Sequence, residues 1–151
     1  MSATGEAFVT GCRRRARTLQ HRQRTTRQQA CEAIAREEGF ASWAELLRAS
    51  LPLEHCVTMY VPRMAPFLSR WFADYDEAKL SQREEGGYLL PWRNDFFVAV
   101  PEAVRELGLD PGDPDWARIG YDWAQPRDAE AHLRLCRLRF DRMLANGEEL
   151  P

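Results

Sequence analysis

The sequence changes its period at Pro52. Before it, apolar residues recur every three or four positions and the punctuation is that of helices. After it, β-branched and aromatic runs closed by Pro and Gly alternate with amphipathic stretches. The chain has 151 residues, enough to bury a core without disulfide staples. The expected organisation is a segment 1–51 followed by a segment 52–151. The expected class is α+β, predominantly helical, with an N-terminal three-helix segment and then a small antiparallel sheet packed by amphipathic helices.

Each helix of the first segment is marked locally. Over about residues 4–22, Phe8, Cys12, Ala16 and Leu19 form one narrow apolar stripe, and most of the remaining cylinder is arginine. Thr26 with Gln29 is a capping-box pattern that opens a second helix, and Gly39 supplies its left-handed stop. Ser42 with Glu45 repeats the pattern, with Phe40 as a hydrophobic staple and Trp43, Leu46 and Leu47 as the buried face.

Beyond Pro52, His55 to Val61 reads as a strand closed by Pro62, and Pro66 as the first turn of a helix to about Leu80 with Leu68, Trp71, Phe72 and Tyr75 on one side. Tyr88 to Pro91 and Phe96 to Val100 read as a hairpin, with Pro91 confined to an edge or a strand end. Pro101 and Asp113-Pro114 open short helices. The last helix, about Asp128 to Ala145, has a seam of Ala129, Leu133, Cys136, Phe140, Met143 and Leu144, flanked by Arg134, Arg137, Arg139 and Arg142.

Charge is segregated. Residues 1–50 hold nine Arg against five Glu, a balance of +4, and residues 51–151 hold twelve Lys or Arg against eighteen Asp or Glu, a balance of -6. Such asymmetry marks a nucleic-acid face, a docking surface or two halves that attract each other. Basic side chains are twenty arginines and one lysine, Lys79. The longest apolar stretch, Phe96 to Pro101, is far short of a membrane span, and no apolar core precedes the first arginines as in a secretory signal. With four dispersed cysteines and no CxxC pair, free thiols and a cytoplasmic location are expected.

No catalytic, cofactor or metal site is expected. His132 and Cys136 lie one helical turn apart but are only two ligands, and His55 and Cys56 alternate in direction if they belong to a strand. Asp110, Asp113 and Asp115 share the composition of a calcium loop but lack its alternating oxygens, central glycine and terminal glutamate, so with Pro111 and Pro114 they read as a tight turn with a cap. A helix-turn-helix frame over the second and third helices puts Glu38, Glu45 and Arg48 where apolar residues belong, which favours a packing hairpin.

The stretch Ala30 to Leu47, ACEAIAREEGFASWAELL, resembles a short helical module of plasmid- and phage-borne bacterial proteins labelled glyoxalase-superfamily-like. The likeness covers 18 residues and implies a bacterial mobile-element context. It implies no activity, because the paired βαβββ units and the His/Glu metal set of glyoxalases are missing.

The expected function is therefore that of a small non-enzymatic binding or regulatory protein. In the first reading it associates with nucleic acid through Arg13, Arg14, Arg15, Arg17, Arg22, Arg24 and Arg27. In the alternative it is a protein-directed inhibitor or accessory factor of a host nucleic-acid-processing or defence complex. That reading uses Trp92, Asp110, Asp113, Asp115, Trp116 and Trp123 as the contact surface.

Overall fold

Local caps decide where the helices begin. In the computed structural model, which describes residues 3–151, Thr26 and Gln29 exchange both bonds of a capping box, each 3.1 Å long, and open α2 (Arg27–Glu37). Met1 and Ser2, part of the expected segment 1–51, lie outside the described residues. Gly39, at φ 90°, ends α2, and Phe40 N–H closes back on Ala35 O. Ser42 caps α3 (Trp43–Ser50). Glu45 does not complete the box there, because its carboxylate turns to Ala41 N–H, 3.3 Å away. Preceding both is α1 (Ala3–Gln23), which buries Val9, Cys12 and Ala16.

The chain divides into two units: the residues through Cys56 together with Gly147–Pro151, and Val57–Asn146. The C-terminal residues are bonded into the first unit. Arg27 reaches Glu149 and Leu150 O at 3.0 and 2.8 Å, and Trp43 Nε1 donates to Pro151 O at 3.0 Å. With Glu54, Glu148 and Glu149 included, this unit holds nine Arg against eight Glu, so its balance is +1.

The second unit is built on a three-stranded antiparallel sheet of order β1-β3-β2, with β1 (Arg70–Phe72), β2 (Tyr88–Trp92) and β3 (Asp95–Ala99). Its hairpin turns at Arg93, whose φ of 55° is the left-handed value such a two-residue turn requires. Pro91 lies on the edge strand β2, as expected. One face carries Leu89, Val98, Phe96 and Phe72 against Ala78 of α4 (Tyr75–Glu85). The other carries Leu90, Phe97 and Trp71, with Trp71 stacked on Phe97 at 4.5 Å. Gly87, at φ 112°, is required at the entry to β2, because a Cβ there would stand 2.6 Å from Val98 Cγ1 and 3.0 Å from Ala99 O. Three more helices follow: α5 (Pro101–Glu106), α6 (Pro114–Arg118) and α7 (Ala129–Ala145), the last capped by Asp128. The described residues thus form an α+β fold that is predominantly helical, with a three-helix N-terminus. No helix among them is long and apolar enough to cross a membrane.

Three local expectations are corrected. His55 to Val61 is not a strand: Leu53–His55 is a 3-10 turn, and the residues after it run irregularly into a second such turn at Pro62–Met64. Here Val61 N–H turns to Met64 Sδ, and Thr58 O accepts from a side chain instead of a ladder. No helix starts at Pro66, because Trp71 and Phe72 pair with Phe97 and Phe96, and Asp74 caps the helix by accepting from Glu77 N–H at 3.1 Å. Leu68, assigned to a core face, is 86% exposed. Arg139, assigned to the flank of the last helix, is fully buried, donating to Thr58 O at 2.8 Å and Leu107 O at 2.9 Å.

Two outcomes follow from this packing. Arg139→Met keeps the volume but removes the donors to two interior carbonyls, and is expected to cost about 3 kcal/mol in urea unfolding followed by tryptophan fluorescence. Cys12, Cys31, Cys56 and Cys136 are buried and none is in a disulfide, and burial pushes the Cys56 thiol up to about 11. At pH 8 an aromatic disulfide reagent should therefore modify them at the rate of unfolding, and all four at once in denaturant.

Candidate functional site

The seven arginines of the basic face do not act as a set. Arg13 is half-buried, and burial together with neighbouring Arg27 pulls its guanidinium below the ordinary arginine value. Arg15 bonds both Glu37, at 2.7 Å, and Glu38. Arg27 is held by Glu149 and Leu150 O. That leaves Arg14, Arg17, Arg22 and Arg24 exposed, with no carboxylate at ion-pair distance among the described residues. At 100° per residue, Arg14, Arg17, His21 and Arg22 follow the side of α1 opposite Val9, Cys12 and Ala16. The site is a solvated cationic stripe on a helix seated by its other face.

The hairpin beneath it is built for packing. In α3, Trp43, Ala44, Leu46, Leu47 and Ser50 are buried, which leaves Glu45, Arg48 and Ala49 exposed. Glu32 accepts Trp43 N–H at 3.0 Å and fixes the start of α3 against α2. A recognition helix needs several side chains free to reach base edges, and α3 does not present them.

The acidic, aromatic group is dispersed between surface and interior. Trp116 is fully buried, donating Nε1–H to Asp110 O at 3.1 Å, and Trp123 is buried beside it with ring centroids 5.6 Å apart. Asp115 is buried and held by Arg134 through two bonds of 2.9 Å and by Arg118 at 2.7 Å. These three residues are structural and offer nothing to a partner. Asp113 caps α6, and Asp110 accepts Gly112 N–H at 2.8 Å, which is the cap and turn expected of this run. Trp92 is half-buried against Tyr60, with the Arg93 guanidinium 5.1 Å from its ring. His132 and Cys136 lie 3.6 Å apart in the core, with the His132 ring edge-on to Trp123. Among the described residues no group of three His, Cys, Asp or Glu is placed to hold a metal ion.

A concave site in the second unit went unread in the sequence. A cleft of about 740 Å³ lies between α4 and the 120–127 segment. Its wall is organised by Asp122, a buried carboxylate that accepts from the Tyr75 hydroxyl, from Lys79 Nζ at 3.0 Å and from Gln125 N–H at 2.8 Å. Burial, and then the bond to Asp122, push the Tyr75 phenol well above its ordinary value, so it stays a donor. Two signals pointed there: Lys79 is the single lysine among twenty arginines, and Gly86-Gly87 breaks the chain beside it.

No family model matches the chain, and no curated protein or solved structure matches it. The stretch Ala30 to Leu47 covers most of α2 and the first part of α3 around the Gly39 stop.

The Asp115 ion pairs generate a pH prediction. Hydrogen bonds from Arg134, and then from Arg118, outweigh burial and hold the carboxyl at about 2, below its ordinary 3.8. A depressed acid adds stability that is complete above its unfolded value and is lost as pH falls through its folded one. Between pH 4 and pH 2 the urea midpoint of the native protein should therefore fall, and that of Asp115→Asn should fall less. At pH 7 the variant should be less stable by about 1–2 kcal/mol.

Proposed function

We propose that this is a non-enzymatic cytoplasmic binding protein that holds nucleic acid by its phosphates through the stripe Arg14, Arg17, Arg22 and Arg24. The observation that carries the reading is that these four guanidiniums are exposed and lack carboxylate partners among the described residues, while Arg15 and Arg27 are consumed by glutamates of their own unit. Arg14, Arg17 and Arg22 lie on the outer side of α1 and Arg24 on the turn just past its end, and exposed planar forks of this kind suit phosphate oxygens. Sequence reading is not part of the proposal, because α3 keeps its side chains for packing. The unit's balance of +1 makes the attraction local to the stripe. A protein-directed role through the acidic half retains only Trp92, Asp110 and Asp113 of its six residues at least partly exposed.

Anisotropy of a labelled DNA duplex tests it. Four phosphate contacts give a slope of roughly -3.6 in log affinity against log salt, a loss of about a hundredfold between 50 and 200 mM. Replacing the four arginines by Gln should remove that dependence and leave the helical circular dichroism unchanged. Duplex binding that ignores salt, or survives the replacement, rejects the reading.

A further inference from the structure

The cleft of the second unit carries more charge than its own structure uses. Lys79, Arg83 and Arg127 all line it, and Asp122 is the acid among its lining residues. Lys79 is matched to Asp122 at 3.0 Å and to Gln82 Oε1 at 2.9 Å. Arg83 and Arg127 have no carboxylate at ion-pair distance among the described residues, whereas Arg63, Arg70, Arg118 and Arg134 of the same unit each do. Two unneutralised guanidiniums therefore share one concavity.

One of them is seated by the backbone. Gly120 has φ 73°, and a Cβ on it would stand 2.5 Å from Arg127 Nε and 2.8 Å from Nη2. The guanidinium lies against the bare main chain of Gly120, whose positive φ itself favours glycine. The next residue, Tyr121, sits at φ 55° although it is not glycine. Three bonds impose that conformation: Tyr121 N–H to Trp116 O at 2.8 Å, and Leu89 N–H and Gln82 Nε2 to Tyr121 O at 2.8 and 2.5 Å. The Tyr121 ring, 40% exposed, meets Tyr88 edge-on and lines the cleft.

We propose that this cleft binds a small phosphomonoester carrying a planar ring, with Arg83 and Arg127 holding the phosphate and Tyr121 offering the stacking face. The volume is that of a small-ligand site. A phosphomonoester at pH 7 brings close to two negative charges and three acceptor oxygens, which answers two forks better than the single charge of one carboxylate. Gly86, where a Cβ would meet nothing within 4 Å, adds a lining position without a side chain. The cleft shares no residue with the α1 stripe, and its proposal does not rest on the stripe's function.

Isothermal titration of the full-length protein with adenosine monophosphate, adenosine, inorganic phosphate and malate tests the proposal. Adenosine monophosphate should saturate one site, with phosphate and adenosine each binding more weakly. Arg83→Ala and Arg127→Ala remove exposed side chains and should each weaken it at least about tenfold, with unchanged circular dichroism. The protein with Arg14, Arg17, Arg22 and Arg24 replaced by Gln should retain full affinity. Absence of saturable binding up to millimolar nucleotide overturns the proposal, as does affinity unchanged in both alanine variants. Malate binding as tightly as the nucleotide overturns the phosphate assignment, and loss of affinity in the α1 variant removes the anion from the cleft.

Discussion

The second unit depends on one buried carboxylate. Asp122 is 1% exposed, and a charge in that position is tolerated only when opposite charge and hydrogen bonds replace its water. Tyr75 and Lys79 supply them from α4, and Gln125 N–H from the segment that carries Asp122 itself. The same segment forms a parallel bridge with Leu89, whose N–H and C=O bond Tyr121 O and Trp123 N–H. The outer edge of β2 is thereby covered by a short piece of chain and is not left as a template for another strand. α4 and the covering segment meet at Asp122, and residues of both line the cleft.

Arg139 applies the same principle with the opposite sign. Three strands of three to five residues cannot enclose a core alone, and the irregular run after Val57 offers few ladder bonds. A guanidinium buried in α7 accepts that disorder of backbone direction, because its donors fan out to Thr58 O and Leu107 O. Met59, Val61 and Met64 of this run are buried, so it is held by packing and by the one bond to Thr58 O without being a strand.

What the sequence made legible was whatever is decided within a few residues. The Thr26 box, the Gly39 stop, the Ser42 cap and the Asp128 helix are local bargains between a side chain and its nearest N–H groups, and they stand where the pattern puts them. The hairpin is local too. His55 to Val61 and Pro66 to Leu80 failed because their outcome depends on a distant competitor: β3 has one free edge, and Trp71 with Phe72 fills it. Aromatic residues serve a helix face or a strand equally well, so composition could not choose. Arg139 was misread by type, since 132, 135, 136, 139 and 143 are the spacing of one buried face and only its charge suggested otherwise. Trp116 and Asp115 were misread as surface for the converse reason, because their partners at Asp110 O, Arg118 and Arg134 come together only in the fold. The segregated charge was real along the chain but weaker in space, once Glu148 and Glu149 returned to the first unit.

The one lysine is then more than a residue of base composition. Lys79 Nζ must satisfy Gln82 Oε1 and Asp122 Oδ2 from a single point, 2.9 and 3.0 Å away, while Tyr75 occupies the same carboxylate oxygen. An ammonium is compact and donates in three directions, whereas a guanidinium is a flat fork whose donors point along fixed directions. The other oxygen of Asp122, Oδ1, accepts Gln125 N–H. An arginine at this position would add a third flat fork to the residues that line the cleft. A lysine meets the buried acid at a single point, and the cleft's two flat forks remain Arg83 and Arg127, which have no carboxylate at ion-pair distance among the described residues.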